Sequence, residues 1–205
     1  MYEKLGSPHH LIWQYYECLH RQIRRVPVYE DGTQKQELVL VVFLAVTVVE
    51  TFINAFFRVL IEEAQFATHR ERIIRDLAKR VSLDEKIRRW PKLIFGKPLE
   101  PANNDIRAFF DLKDIRNSLM HFVSSHETVE LPGPIILRGM ADVTAYESLS
   151  PRYCRECPAV IRAFAYQVFI LRGLETELLP HAFHSWFGEP PSNRPKKPTP
   201  VREPA

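Results

Sequence analysis

Hydrophobic residues recur at helical spacing along most of this chain, and the pattern predicts an all-α fold. Ser7 followed by Pro8 is typical of a helix start, and Pro27 is predicted to end this first helix. The stretch 38–49 is apolar nearly all round, and its continuation repeats pairs of apolar residues every four positions. Residues 35–66 are therefore predicted to form one long helix at the centre of the core.

Two shorter, basic helices are predicted at 69–80 and 82–95. Ser82 and Glu85, three residues apart, form a capping box at the start of the second. A proline-containing loop follows, and it ends in two asparagines, either of which can cap the next helix. That helix is predicted over 105–122, and it carries the polar residues that raise the question of function.

The chain changes character after this helix. The segment ETVELPGPIILRG, within an insert at 126–147, predicts two short strands around a Pro-Gly-Pro turn. A last helix is predicted over 158–179 and is expected to end at Pro180. The sequence thus predicts one helical domain over 1–180, a bundle with a small hairpin insert. Residues 181–205 are predicted to form a flexible, disordered proline-rich tail, with HAFHSWF as its anchor.

Composition is typical of a soluble globular protein, with 45% hydrophobic and 26% charged residues. The longest apolar run has twelve residues, too few to span a bilayer, and Glu50 and Asn54 follow on the same predicted helix. An odd count of three cysteines and the lack of an apolar signal region predict a cytoplasmic protein without membrane partners. Cys154 and Cys157 form a CxxC without further ligands at suitable spacing, so no metal or cofactor is predicted.

Positive charge is concentrated in the two basic helices. Residues 70–97 carry ten basic and four acidic side chains, a net charge of +6, whereas the whole chain has +3. Arg88, Arg89 and Lys92 are candidates for holding an RNA backbone. Trp90, in the middle of this group, either stacks on a base or packs inside the protein.

The helix containing IRNSLMHF, residues 115–122, has two distinct faces when it is projected at about 100° per residue. The predicted core face consists of Leu112, Ile115, Leu119 and Phe122. The opposite face consists of Phe110, Asp114, Asn117 and His121. Arg116 lies between the two, and Asn117 and His121 are close enough along the helix to touch.

Arg116, Asn117 and His121 permit two interpretations. A histidine titrates near neutral pH and an arginine clamps a phosphate through two hydrogen bonds, so the group suits phosphodiester cleavage without a metal. Alternatively, it is a structural cluster in which Arg116 pairs with Asp114 or Glu50. In either case Glu50, Asn54 and Asp114 are expected to support the helix by hydrogen bonds or charge.

The segment Arg116-Asn117-Ser118-Leu119-Met120-His121 resembles the R-x4-6-H motif of the HEPN superfamily. The similarity extends over residues 40–123, which include ETFINAFF and SLDEKIRRWPKLIFGK. HEPN domains are small α-helical bundles, commonly homodimers, in which two copies of the motif face each other. Many are metal-independent endoribonucleases of toxin–antitoxin and antiphage systems.

This resemblance implies that His121 acts as general base or acid, that Arg116 stabilises phosphate charge, and that Asn117 orients one of them. It further implies a homodimer, an RNA substrate and an antitoxin or other defence protein as partners. The alternative is a non-catalytic HEPN-like module that binds a protein or nucleotide. The proline-rich tail and the inserted hairpin favour this alternative, because both resemble additions for docking a partner.

Overall fold

A computed structural model describes residues 7–28, 32–120, 124–130, 136–141 and 143–188. Within these ranges the protein is an all-α bundle, as the hydrophobic pattern predicts. Its helices, in chain order, are α1 (His10–Arg25), α2 (Gly32–Leu60), α3 (Arg70–Ala78), α4 (Leu83–Phe95), α5 (Asn104–Met120), α6 (Thr144–Ser148), α7 (Pro151–Arg172) and α8 (Leu179–Phe187).

A two-stranded hairpin is attached to the bundle between α5 and α6, where the insert was expected. Strand β1 (Ser124–Glu130) pairs with β2 (Ile136–Ala141) in antiparallel fashion. The register opposes Thr128 to Arg138, and it shifts at an irregularity between Ser125 and Thr128. The prediction of a hairpin in this segment is confirmed.

Helix α2 lies at the centre of the core and packs against α1, α5 and α7. By length and composition Thr33–Leu60 could cross a membrane, but half of its most apolar window is buried inside the protein. Its buried residues include Leu38, Val41, Val42, Ala45, Val48, Val49, Phe52, Ile53, Phe56 and Phe57. Burial of apolar residues on several sides accounts for the nearly continuous hydrophobicity of this helix.

Several predicted helix boundaries are wrong, including the end of α7, which is at Arg172 rather than at residue 179. Helix α2 ends at Leu60 rather than at residue 66, and a short 3₁₀ segment, Ala64–His69, follows. Helix α7 begins at Pro151, because the Ser150 hydroxyl accepts a hydrogen bond from the Tyr153 N–H at 3.2 Å and caps the helix. Pro158, predicted near the start, therefore lies inside α7.

The predicted boundary between domain and tail at Pro180 is also wrong. Pro180 lies in the first turn of α8, where a proline is tolerated because its missing N–H has no helical partner. Phe183 and Phe187 of this helix are buried, with their rings stacked at 4.3 Å. The segment 181–187 is thus part of the domain, and residues 189–205 of the predicted tail lie outside the described residues.

Candidate phosphate-binding cleft

Helix α5 is held in a fixed orientation by its N-terminal cap and its buried face. The Asn103 side-chain oxygen accepts hydrogen bonds from the N–H groups of Asp105 at 2.9 Å and Ile106 at 3.4 Å. Phe109 and Leu112 are buried in the core. Arg116 follows Phe109 by seven residues and Leu112 by four, so it lies on the same side of the helix, farther along.

A cleft of about 350 Å³ lies where α2 and α5 meet the connection between α3 and α4. Helix α2 contributes Glu50, and α5 contributes Lys113, Arg116 and Asn117. The remaining wall consists of Arg80, Val81, Ser82, Leu83 and Asp84. The structure thus brings the predicted residues Arg116, Asn117 and Glu50 together at one cleft.

Lys113, which the sequence analysis did not single out, is the most buried charged residue in this cleft. It is 5% exposed, and its ammonium lies 2.9 Å from a carboxylate oxygen of Asp84 and 2.6 Å from one of Asp114. Burial lowers the pKa of Lys113, but hydrogen bonds to Asp114 and Asp84 raise it by more, so the net pKa lies above its usual value. The ammonium of Lys113 is therefore shared between Asp84, at the cleft wall, and Asp114.

Glu50 is paired in a similar way. The buried Lys86 ammonium of α4 lies 3.6 Å from a Glu50 carboxylate oxygen and 5.7 Å from the centre of the Trp90 ring. Because Lys86 approaches from α4 and Glu50 from α2, the pair ties these two helices together beside the cleft. The two carboxylates of the cleft, Glu50 and Asp84, thus both have ammonium partners.

Arg116 has no carboxylate partner among the described residues. Its guanidinium Nη1 lies 3.3 Å from the sulfur of Met120, and neither Asp114 nor Glu50 pairs with it. The expected structural cluster with one of these two carboxylates is therefore not formed. The Asn117 side chain makes no hydrogen bond within the described ranges, and His121, the predicted proton-transfer residue, lies outside them.

The other two predicted supporting residues do not reach this cleft. The side-chain oxygen of Asn54 is buried without a hydrogen-bond partner in the described part of the chain. Asp114 is largely exposed and lines a neighbouring depression with Arg88 and Phe110. Glu50 is therefore the only one of the three that lines the cleft itself.

The predicted RNA-binding residues lie on α4 and do not line the cleft. Arg88 is exposed and its guanidinium lies 5.8 Å from the Phe110 ring centre. Lys92 is exposed, whereas Arg89 is ion-paired with Glu85. Trp90 is 1% exposed and donates a hydrogen bond to Asp76 at 3.2 Å, so it packs inside and cannot stack on a base.

The CxxC cysteines lie in the core as free thiols. Cys154 and Cys157 are both buried, and their thiols lie 3.7 Å from the backbone oxygens of Leu38 and Tyr153, respectively. A hydrogen bond with the Cys154 thiol, together with burial, raises the pKa of Cys157 above its usual range. The described residues contain no group of three or more His, Cys, Asp or Glu side chains that could hold a metal ion.

The chain matches no protein-family model, and no curated protein or solved structure shows significant similarity to it. The chemistry of the cleft therefore rests on its own residues. Arg80 and Lys113 were not identified from sequence. Lys113 could have been found, because it precedes Arg116 by three residues and Asn117 by four and so shares their side of the helix.

Proposed function

We propose that the protein is a metal-independent, HEPN-type endoribonuclease that acts as a homodimer. The observation that carries this proposal is Arg116, which lines a polar cleft without a carboxylate partner in the described residues. A guanidinium left unpaired beside a cleft is suited to binding a phosphate oxyanion through two hydrogen bonds. The burial of Trp90 limits base contacts on α4, so the phosphate backbone is the main determinant of binding.

In the proposed reaction, His121 removes the proton from a ribose 2′-hydroxyl, and the 2′-oxygen attacks the adjacent phosphorus. The bond from phosphorus to the 5′-oxygen breaks, and a proton passes to that leaving oxygen. The products are a 2′,3′-cyclic phosphate and a 5′-hydroxyl. Arg116 stabilises the negative charge on the phosphate oxygens, and Asn117 orients His121 or the phosphate.

Substitution of the two ionisable residues tests this proposal. We expect His121→Ala and Arg116→Ala to reduce RNA cleavage in EDTA by roughly 100-fold or more, since general acid–base catalysis alone contributes 10²–10⁴-fold. Arg107→Ala is a matched control, because Arg107 is an exposed arginine on the same helix but does not line the cleft. Cleavage that persists undiminished in both cleft variants would refute the catalytic assignment.

The proposal extends to the cellular role. A homodimer in the cytoplasm would act in a toxin–antitoxin or antiphage system, with an antitoxin or another defence protein as its regulator. Expression of the wild-type chain is then expected to slow growth, and the His121→Ala variant is expected not to. A wild-type protein that is monomeric in solution would count against the enzyme, because the composite site requires two motif helices in contact.

A non-catalytic, dimeric binding module is the second candidate. Met120 is 54% exposed at the end of α5, and Phe110 is only partly buried on the same helix. Apolar side chains beside polar ones are typical of an interface with another protein. Under this alternative, replacement of Met120 by aspartate would abolish dimerisation, and no preparation would cleave RNA.

A further inference from the structure

Arg80 has a backbone conformation that normally selects glycine. Its φ is 53°, and among the described residues it is the only non-glycine residue with positive φ. Its N–H donates to the Leu77 carbonyl at 3.1 Å, and the Val81 N–H donates to the Asp76 carbonyl at 3.2 Å. These two bonds form a Schellman motif at the end of α3. The positive-φ position of this motif, here occupied by Arg80, is usually a glycine. An arginine here retains strain that a glycine would remove.

Arg80 lines the same cleft as Arg116. Within the described residues it forms no ion pair, whereas Glu50 pairs with Lys86, and Asp84 shares the ammonium of Lys113 with Asp114. Among the described residues, the guanidiniums of Arg80 and Arg116 thus both have no carboxylate partner. An excess of fixed positive charge in a partly enclosed site attracts an anion.

We propose that Arg80 and Arg116 together bind one phosphodiester group of an RNA strand, with Arg80 as a substrate-positioning residue. The inference rests on the proposed function and adds to it a residue outside the motif helix. A volume of about 350 Å³ accommodates a phosphate with its attached sugar. Arginine remains protonated, so Arg80 contributes charge and hydrogen bonds but does not transfer a proton.

The αL conformation provides a sharp test, because Arg80→Gly removes the guanidinium and relieves backbone strain in one step. If Arg80 served only the stability of the protein, this substitution would stabilise the protein and leave RNA binding unchanged. We therefore expect the Arg80→Gly protein to melt a few degrees higher than the wild type. At the same time we expect it to bind RNA about tenfold more weakly, which is the loss of one charge-assisted contact.

Binding is measured with a fluorescent, 2′-O-methylated RNA oligonucleotide, which cannot be cleaved by 2′-oxygen attack. Fluorescence anisotropy across a salt series gives affinity and the slope of log affinity against log salt. The slope is expected to fall by about 0.7 in Arg80→Gly, as for the loss of one phosphate contact on a single strand. Lys79→Ala is the matched control, because it removes the same charge from the adjacent exposed residue, which does not line the cleft. This control is expected to bind within about twofold of the wild type.

Three outcomes would overturn the inference: no binding by the wild type, equal weakening by Lys79→Ala and Arg80→Gly, or Arg80→Gly binding within twofold of the wild type. Competition by adenosine monophosphate at the affinity of the oligonucleotide would overturn RNA as the ligand and favour a mononucleotide. Failure of the proposed function looks different. If the protein binds RNA in an Arg80-dependent way but does not cleave it, the nuclease activity is refuted and the phosphate-binding site is not.

Discussion

Replacement of Phe187 by alanine tests the packing of α8 against the bundle. Phe187 is 1% exposed, and its ring centre lies 5.6 Å from that of Tyr16 in α1 and 5.0 Å from that of Phe52 in α2. Within α8 it stacks on Phe183 at 4.3 Å. The substitution therefore removes one ring from a cluster that joins three helices.

The expected loss of unfolding free energy is about 3–5 kcal/mol, the range for replacing a buried phenylalanine by alanine. Part of this loss comes from transfer of the ring and part from the cavity that remains among rigid aromatic neighbours. For a chain of about this size, 1 kcal/mol changes the melting temperature by about 2–4 °C. The melting temperature should thus fall by roughly 10 °C.

Urea and thermal denaturation followed by circular dichroism measure this change. Phe187→Leu retains most of the side-chain volume and is expected to cost about 1–2 kcal/mol. His184→Ala, on the exposed side of the same helix, should stay within about 0.5 kcal/mol of the wild type. A loss below about 1 kcal/mol in Phe187→Ala would refute the packing of α8 in the core and restore the sequence-based boundary at Pro180.

Two further predictions concern buried charge. Lys113→Met should lower the unfolding free energy in urea by about 1–2 kcal/mol, a discounted value because Asp84 and Asp114 stay partly exposed to water. Because the pKa of Lys113 is raised, the stability difference between wild type and Lys113→Met should be fully present below pH 10.5 and should shrink at higher pH. A Lys113→Met protein as stable as the wild type would contradict this prediction. The pKa of His20 is lowered by burial and by the charge of Arg24, so stability should fall as the pH drops below 6.5. The unfolding free energy is measured at pH 8 and at pH 5. The loss between the two should be smaller in His20→Gln than in the wild type, and an equal loss would exclude His20 as its cause.

Features that depend on neighbouring residues were predicted well. Ser82 caps α4 by accepting a hydrogen bond from the Glu85 N–H at 3.3 Å, and Asn103 caps α5. The two strands predicted before and after the Pro-Gly-Pro segment form and pair with each other. In each case the signal is a short-range bond or backbone preference, which a few adjacent residues contain in full.

Features that depend on distant residues were missed or misjudged. Pro180 both ends one helical pattern and begins another, and only the packing of Phe183 and Phe187 on α1 and α2 selects the second possibility. Likewise, the ten basic residues of 70–97 look alike in sequence. Tertiary contacts separate them: Lys86 is buried, Arg89 is paired, and Arg80 lines the cleft.

The sequence by itself determined the helical class and the separation of Asn117 from the predicted core stripe of α5, with Arg116 between the two faces, because helical periodicity is a local property. The tertiary structure alone decided which charges meet. Asp84 lies 29 residues before Lys113, and only the tertiary fold brings their side chains together. Since electrostatic pairing depends on distance in space, the sequence contained the charges of the cleft but not which of them would remain unpaired.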